Sequence, residues 1–350
     1  MKLNIYELLK KQLKLETYVF IAILVIMAVI PPFIPSALIY LLGLTFLFII
    51  LATSWDLTTG YTGQLNLGHT VFVGIGAYTA ALLQVPERLA GTPLEFIASM
   101  PKIPIWIDML IGGILAGIFG LVIGIITLRL KGWYFALVTA ILPLVFVEIT
   151  LVFREVLGGE EGFSIGFENA LAPTTIEKYY LSLILMAISV IILQIIINSK
   201  LGLRFMAIRD DIDLAESIGI DTTIYKVISF AISSFFAGVA GAAIVHYRLI
   251  ACPDLFDIPL MLLIILSVVI GGQGTLIGPV IGAIIVYLLK HWWLKALVPM
   301  LTYLYIPIND DIILYMILII LAILFPEGIW MKLKDLYKSV IVTKIVAKRT

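Results

Sequence analysis

The sequence predicts an all-α polytopic membrane protein with about ten transmembrane helices, two glycine-rich broken segments and one short amphipathic helix in a hydrophilic loop. Three observations lead there. Of 350 residues, 62% are apolar and only 13% charged, and the mean hydropathy of +1.13 lies far above that of a soluble domain. Apolar runs near the roughly 20 residues that cross a bilayer recur along the chain. Between two of them stands the most hydrophilic stretch, SKLGLRFMAIRDDIDLAESIGID (199–221).

Lys2, Lys10, Lys11 and Lys14 precede the apolar run Tyr18 to Ile30, a pattern that superficially resembles a signal peptide. No small-residue cleavage site follows; Pro31-Pro32-Phe33-Ile34-Pro35 does, so an uncleaved first helix that starts in the cytoplasm is expected. Helices are placed near 18–34, 36–56, 68–84, 105–128, 133–153, 179–198, 224–247, 259–272, 277–297 and 311–326, the third and eighth short for full spans. The expected organisation is a cytoplasmic segment 1–17, a transmembrane domain 18–330 and a basic cytoplasmic tail 331–350.

Cytoplasmic loops are enriched in Lys and Arg. With both termini inside, the inner side holds most of the 23 basic residues: the N-terminal lysines, Arg129, Lys131, Lys200, Arg204, Arg209, Lys226 and all from Lys332 onwards. The outer loops hold the acids Glu155, Glu160, Glu161, Glu168, Glu177, Asp310 and Asp311, a candidate docking surface. Three scattered histidines (His69, His246, His291) and the single Cys252 give neither a metal cluster nor a disulfide. No cofactor is expected, and zero net charge suggests no nucleic-acid partner.

Two stretches, Gly60-Tyr61-Thr62-Gly63-Gln64-Leu65-Asn66-Leu67-Gly68-His69 and Gly271-Gly272-Gln273-Gly274-Thr275-Leu276-Ile277-Gly278-Pro279, break the helical pattern. Irregular backbone at membrane depth survives only inside protein or along a cavity. A pair of such breaks in the two halves of a chain points to an internal repeat and a midplane pathway. Candidate pathway residues are therefore Gly63, Gln64, Asn66, His69, Gly272 and Gln273, together with Glu148 inside a predicted span. The competing reading of the amides is satisfaction of freed backbone groups. For His69 it is a cap or packing role; for Glu148 it is a cation partner or a wet helix end. Asp56, at a helix end, is expected to be hydrated. Gly74, Gly76, Gly112, Gly113, Gly117, Gly120, Gly124, Gly238 and Gly241 are expected at helix contacts.

In the hydrophilic stretch, Phe205, Ile208, Ile212, Ala215 and Ile218 recur at three- and four-residue steps, one helix face. Asp210 is expected as N-cap, Asp211 and Asp213 in the first turn, and Gly219 at the end. A helix of about two turns needs a surface to dock on, either this chain's own membrane domain or another subunit.

Asp213-Leu214-Ala215-Glu216-Ser217-Ile218-Gly219 resembles the loop of ABC importer permeases in which an acidic residue, two small residues and a glycine follow in order, with Leu214 at the first small position. GQLNLGHTVFVGIGAYTAALL (63–83), GWYFALVTA (132–140), GGEEGFSIG (158–166), GGQGTLIGPVIGA (271–283) and the closing Leu324-Phe325-Pro326-Glu327-Gly328 are similar to the LivM-type permeases of branched-chain amino acid ABC importers. The resemblance covers roughly 36–330. It implies that 199–221 forms a cytoplasmic coupling helix seated on an ATPase, and a non-catalytic permease subunit. Its implied partners are a homologous second permease, two cytoplasmic ABC ATPases and an extracytoplasmic binding protein, and its implied substrate is leucine, isoleucine or valine.

On that reading the coupling loop uses Arg204, Phe205, Ile208, Arg209, Ile212, Asp213, Ala215, Glu216 and Gly219, with the apolar face docked and Arg204, Arg209, Asp213 and Glu216 at the rim. The chain lacks GxxxxGK[ST], so partners would handle ATP. The alternatives are a ribose-type sugar ABC permease and an ion-coupled secondary transporter; the latter needs no docking helix. The absence of HExxH argues against an intramembrane enzyme.

Overall fold

The computed structural model describes residues 5–98, 102–127, 133–296 and 310–335. Arg129, Lys131, the first lysine and the basic tail beyond residue 335 lie outside them. The helices are α1 (Ile5–Val29), α2 (Ser36–Thr59), α3 (His69–Gln84), α4 (Ile105–Thr127), α5 (Trp133–Val152), α6 (Thr175–Ile197), α7 (Lys200–Asp210), α8 (Ile212–Ser217), α9 (Thr222–Arg248), α10 (Ile258–Gly271), α11 (Ile277–Leu288) and α12 (Asp310–Leu324). A π-helical turn, Leu289–Leu294, extends α11.

The all-helical membrane architecture holds, whereas the expected count of about ten spans does not. Among the described residues seven helical stretches are long and apolar enough to cross a bilayer: α2, α4, α5, α6, α9, Pro253–Gly271 and Ile277–Leu294. The others fall short physically. Helix α3 has 16 residues, about 24 Å of rise against a hydrocarbon core of about 30 Å. Helix α12 has 15 residues, and α1 carries Glu7, Lys10, Lys11, Lys14 and Glu16 ahead of its apolar run. Helix α6 also begins four residues before its expected start. Thr174 and Glu177 form a reciprocal capping box, Glu177 N–H donating to Thr174 Oγ1 and Thr174 N–H to Glu177 Oε2, each at 3.2 Å.

Helices α2 and α9 form the interior. Each buries 67% of its most apolar window, against 28% for α5, which turns Trp133, Tyr134, Leu137 and Ile141 outward. In a bilayer, apolar faces gain little by leaving lipid, so close packing of small residues must hold helices together. That is how α9 meets α3 and α4. A Cβ on Gly76 would lie 2.1 Å from the Gly238 carbonyl oxygen, one on Gly241 2.0 Å from the Val73 carbonyl oxygen, and one on Gly112 2.8 Å from the Gly76 carbonyl oxygen. The backbones touch there, and any side chain forces them apart.

One end of the bundle is closed by residues 153–174. They reach α9 through two short antiparallel strands, β1 (Phe163–Ser164) and β2 (Ile250–Ala251), in the register Phe163 with Ala251. Beneath them lies a fully buried pair that the sequence reading missed. Asp108, in the first turn of α4, meets His246 Nε2 at 3.0 Å, and the other ring nitrogen lies 2.7 Å from the Asn169 carbonyl oxygen. The Gln84 amide donates to the same carboxylate. Four segments are thus fastened at one point. An acid in the first turn of a 23-residue apolar helix and a histidine in the last turn of another were the available signal.

Replacing Gly76 by alanine is expected to destabilise the bundle by about 1–3 kcal/mol, the typical cost of overpacking, read as a lower unfolding midpoint in detergent. The same change at Gly117, where the nearest atom, Phe235 Cβ, is 3.3 Å away, should cost less.

Candidate functional site

At the end opposite the strands, the hydrophilic stretch folds as two helices, because Asp211 adopts an extended conformation (φ −160°, ψ 112°) between them. Ser199 caps α7, accepting from Leu201 N–H at 3.1 Å. Asp211 caps α8, accepting from Leu214 N–H at 3.0 Å. The expected cap at Asp210 is corrected by one residue: Asp210 ends α7 and accepts from its neighbour Arg209. Gly219 closes α8 with φ +87°, where it is expected.

The apolar face divides differently from the expectation. Phe205, Ile208 and Ala215 are buried within this chain, so the docking surface these helices needed is, for those residues, their own membrane domain. Burying a phenylalanine or isoleucine is worth roughly 1.5–3 kcal/mol, enough to hold helices this short. Leu203, Ile212, Leu214 and Ile218 remain exposed, beside the exposed Asp213 and Glu216. Glu216 Oε1 accepts from Thr222 Oγ1 at 2.6 Å. Arg204 stacks on the Tyr225 ring at 4.9 Å and donates to its hydroxyl.

Arg209 crosses to the first glycine-rich segment: Nη1 donates to the Gly60 carbonyl oxygen at 2.9 Å. Gly60 in turn lies against the second segment, since a Cβ there would sit 2.5 Å from Gly274 N. The Gly274 N–H donates to Asp56 at 2.9 and 3.1 Å. Asp56, expected to be hydrated, is 1% exposed; its carboxylate takes up a backbone donor that the break in the second segment releases. Asp56 and Arg209 thus clasp the two irregular segments together, one accepting a backbone hydrogen bond and the other donating one. The closing stretch joins them, with Gly328 packed on Gly272.

An open cleft of about 530 Å³ beside the clasp is lined by Gly63, Arg209 and Gln273, together with Trp55, Thr59, Gly60, Leu65, Ile265 and Val269. Three separately predicted stretches therefore meet. The other candidates do not line this cleft. Asn66 and His69 are buried behind it. The Asn66 side-chain oxygen accepts from Gly68 N–H at 2.9 Å, and its backbone carbonyl accepts from Trp55 Nε1 at 2.6 Å. His69 Nε2 lies 3.1 Å from Ser54 Oγ. Gln64 is half-buried, its carbonyl oxygen accepting from Thr59 Oγ1 at 3.1 Å. Gly272, buried, turns the chain with φ +122°. Glu148 is exposed on the outer face of α5, away from both segments. Amides and hydroxyls therefore satisfy the first break largely from within.

A bundle of apolar helices whose two irregular segments close on each other under a short polar helix pair defines a multi-pass membrane protein. The family of the branched-chain amino acid transport system permease component matches residues 37–322, and the chain belongs to that family. It is 27% identical over 298 residues to the high-affinity branched-chain amino acid transport system permease protein LivM of Escherichia coli strain K12, and 26% to that of Salmonella typhimurium. Each alignment covers 76% of this chain and 66% of the relative. The chain thus spans about two thirds of the length of the curated relatives it matches. No solved structure matches it.

Asp56→Ala is expected to leave the Gly274 N–H without its acceptor and to cost about 1–3 kcal/mol, measured as a lowered unfolding midpoint. Asp56→Asn keeps an acceptor oxygen and should lose less.

Proposed function

We propose that the chain is the non-catalytic permease subunit of an ATP-driven importer that moves leucine, isoleucine and valine across a prokaryotic plasma membrane. It works with a homologous second permease, two cytoplasmic ABC ATPases and an extracytoplasmic binding protein. Family membership and the two LivM relatives support the class and substrate. On this reading the α7–α8 end is cytoplasmic, in keeping with the Lys and Arg of that loop, and the strand-closed end faces the binding protein. Hydrolysis stays with the partners, since the chain has no phosphate-binding loop.

The observation that carries the mechanism is the Arg209 bond to Gly60. An ATPase that moves α7 and α8 pulls on the first break through that guanidinium, and on the second through the Gly60–Gly274 contact and Asp56. Glycine at these points lets the two backbones touch and slide without side-chain obstruction. The cleft lined by Gly63 and Gln273 then opens or closes with the position of α7. Exposed Leu203, Ile212, Leu214 and Ile218, flanked by Asp213 and Glu216, form the surface for the ATPase. An ion-coupled carrier would have no use for such a surface.

Removing the Arg209 tether should separate the two activities. A hydrogen bond to a charged group is worth about 1.5–3 kcal/mol, so Arg209→Met should cut leucine uptake by about tenfold or more. ATP hydrolysis by the assembled complex should persist; uptake at the unmodified rate would refute the coupling role. For docking, Leu214→Asp with Ile218→Asp should abolish co-purification with the ATPase. Ala215→Trp, at a residue buried in this chain, should instead lower the stability of the subunit itself.

A further inference from the structure

At the strand-closed end, α2, α9, α10 and α11 enclose a cavity of about 200 Å³ that adjoins a shallower cleft of about 420 Å³. The cavity wall is apolar, built by Leu44, Phe48, Leu51, Ile244, Leu260 and Leu263. Charges of both signs line the same cavity: Arg248 and Lys290 against Asp254 and Asp257. Arg248 Nη2 pairs with Asp254 Oδ2 at 2.8 Å. Asp257 stands at the N-cap of α10, yet its side chain does not cap that helix. The lip is aromatic, with the Tyr287 ring 4.9 Å from Phe48 and 4.4 Å from His291.

We propose that this cavity is a receiving site for a free aliphatic α-amino acid. The branched side chain fills the leucine and phenylalanine wall, the carboxylate meets Arg248 and Lys290, and the ammonium meets Asp254 and Asp257. The proposal rests on the reading of the chain as a branched-chain amino acid permease, and adds where and how the solute is first held.

The chemistry of the lining selects the class. A simple anion gains nothing from Asp254 and Asp257, and a simple cation nothing from Arg248 and Lys290; a zwitterion uses all four. A sugar needs polar groups along its whole perimeter, and the six apolar side chains of the wall leave much of this lining without any. The volume is below the roughly 300–1,000 Å³ of pockets for drug-sized ligands, as suits a small solute. The Arg248–Asp254 pair keeps two of the four charges partnered when no solute is bound. The wall also leads to the clasp: Leu51 and Asp56 lie on α2, about 7.5 Å apart along its axis at 1.5 Å per residue. A phosphatidylethanolamine headgroup carries the same pairing of ammonium and anion with apolar chains, and the test must separate the two sources.

The test uses the full importer, fed with leucine-loaded binding protein, in phosphatidylglycerol vesicles, whose lipid has no ammonium group, and separately in vesicles containing phosphatidylethanolamine. Asp257→Asn and Lys290→Met leave the Arg248–Asp254 pair in place, and Leu263→Phe fills the wall. Each should lower the maximal rate of leucine uptake by about tenfold, as loss of one charged or well-packed contact implies. The half-saturating concentration of loaded binding protein should be unchanged, and Asp257→Glu should restore the rate. Equal defects in both lipids support an amino acid. Defects seen only with phosphatidylethanolamine assign the cavity to the headgroup and overturn the proposal. Rates within about twofold of the unmodified importer for all three variants, a margin below half a kilocalorie per mole, overturn it as well and leave the permease reading standing. An unmodified importer that carries a sugar and no leucine overturns both.

Discussion

Everything at the α7–α8 end depends on how two interrupted helices satisfy their freed backbone groups inside a protein that offers little water. In the turn between α10 and α11 the Gly274 N–H belongs to neither helix and needs an acceptor from elsewhere. Asp56 supplies one from α2. Where α2 stops, carbonyls lose their donors, and Arg209 supplies one from α7. A carboxyl oxygen accepts and a guanidinium can only donate, so each side chain suits the group it serves. The solution requires α2, α7, α10 and α11 to be in place together, which ties the polar loop to the membrane core without any covalent link.

Helix α2 is the common element. Its C-terminal end carries Trp55 and Asp56 at the clasp, and Leu44, Phe48 and Leu51 before them line the cavity at the strand-closed end. Most of its length is buried. Because lipid supplies no hydrophobic drive between helices, its position is set by contact geometry: Tyr247, for example, packs over Gly43 and donates its hydroxyl to the Tyr40 carbonyl oxygen at 2.9 Å. A central helix fixed by close contacts at both ends transmits displacement along its axis better than one held by a greasy interface that can slip.

How legible this was in the sequence differs by residue and by physical cause. The breaks at Gly60–Gly68 and Gly271–Gly278 were legible because a glycine run is a backbone statement that needs no neighbours. The glycine contacts of α3, α4 and α9 were legible for the same reason. Asp56 and the Asp108–His246 pair were not, since a charge near a helix end reads as hydrated until the segment that buries it is known. Glu148 shows the reverse: an acid in the middle of a predicted span invites a pathway role, and only the rotation of α5 shows that it is exposed. The span count failed because hydropathy windows register apolarity and not length, and α3 is apolar but short.

The amphipathic loop shows most clearly what a periodic pattern can and cannot say. Spacing gave one face to Phe205, Ile208, Ile212, Ala215 and Ile218 as if a single helix ran through them. The extended Asp211 rotates α8 relative to α7, so Phe205, Ile208 and Ala215 turn inward while Ile212 and Ile218 turn outward. The break therefore gives the loop two apolar surfaces in place of one. A single face could either anchor to this chain or dock on a partner, and in each case the other attachment would rest on weak rim contacts. With two faces the loop is held by its own membrane domain through residues worth several kcal/mol when buried, and still offers an apolar patch to a partner. A lever needs both a fixed end and a free end, and the extended residue between α7 and α8 provides them from a stretch of only 23 residues.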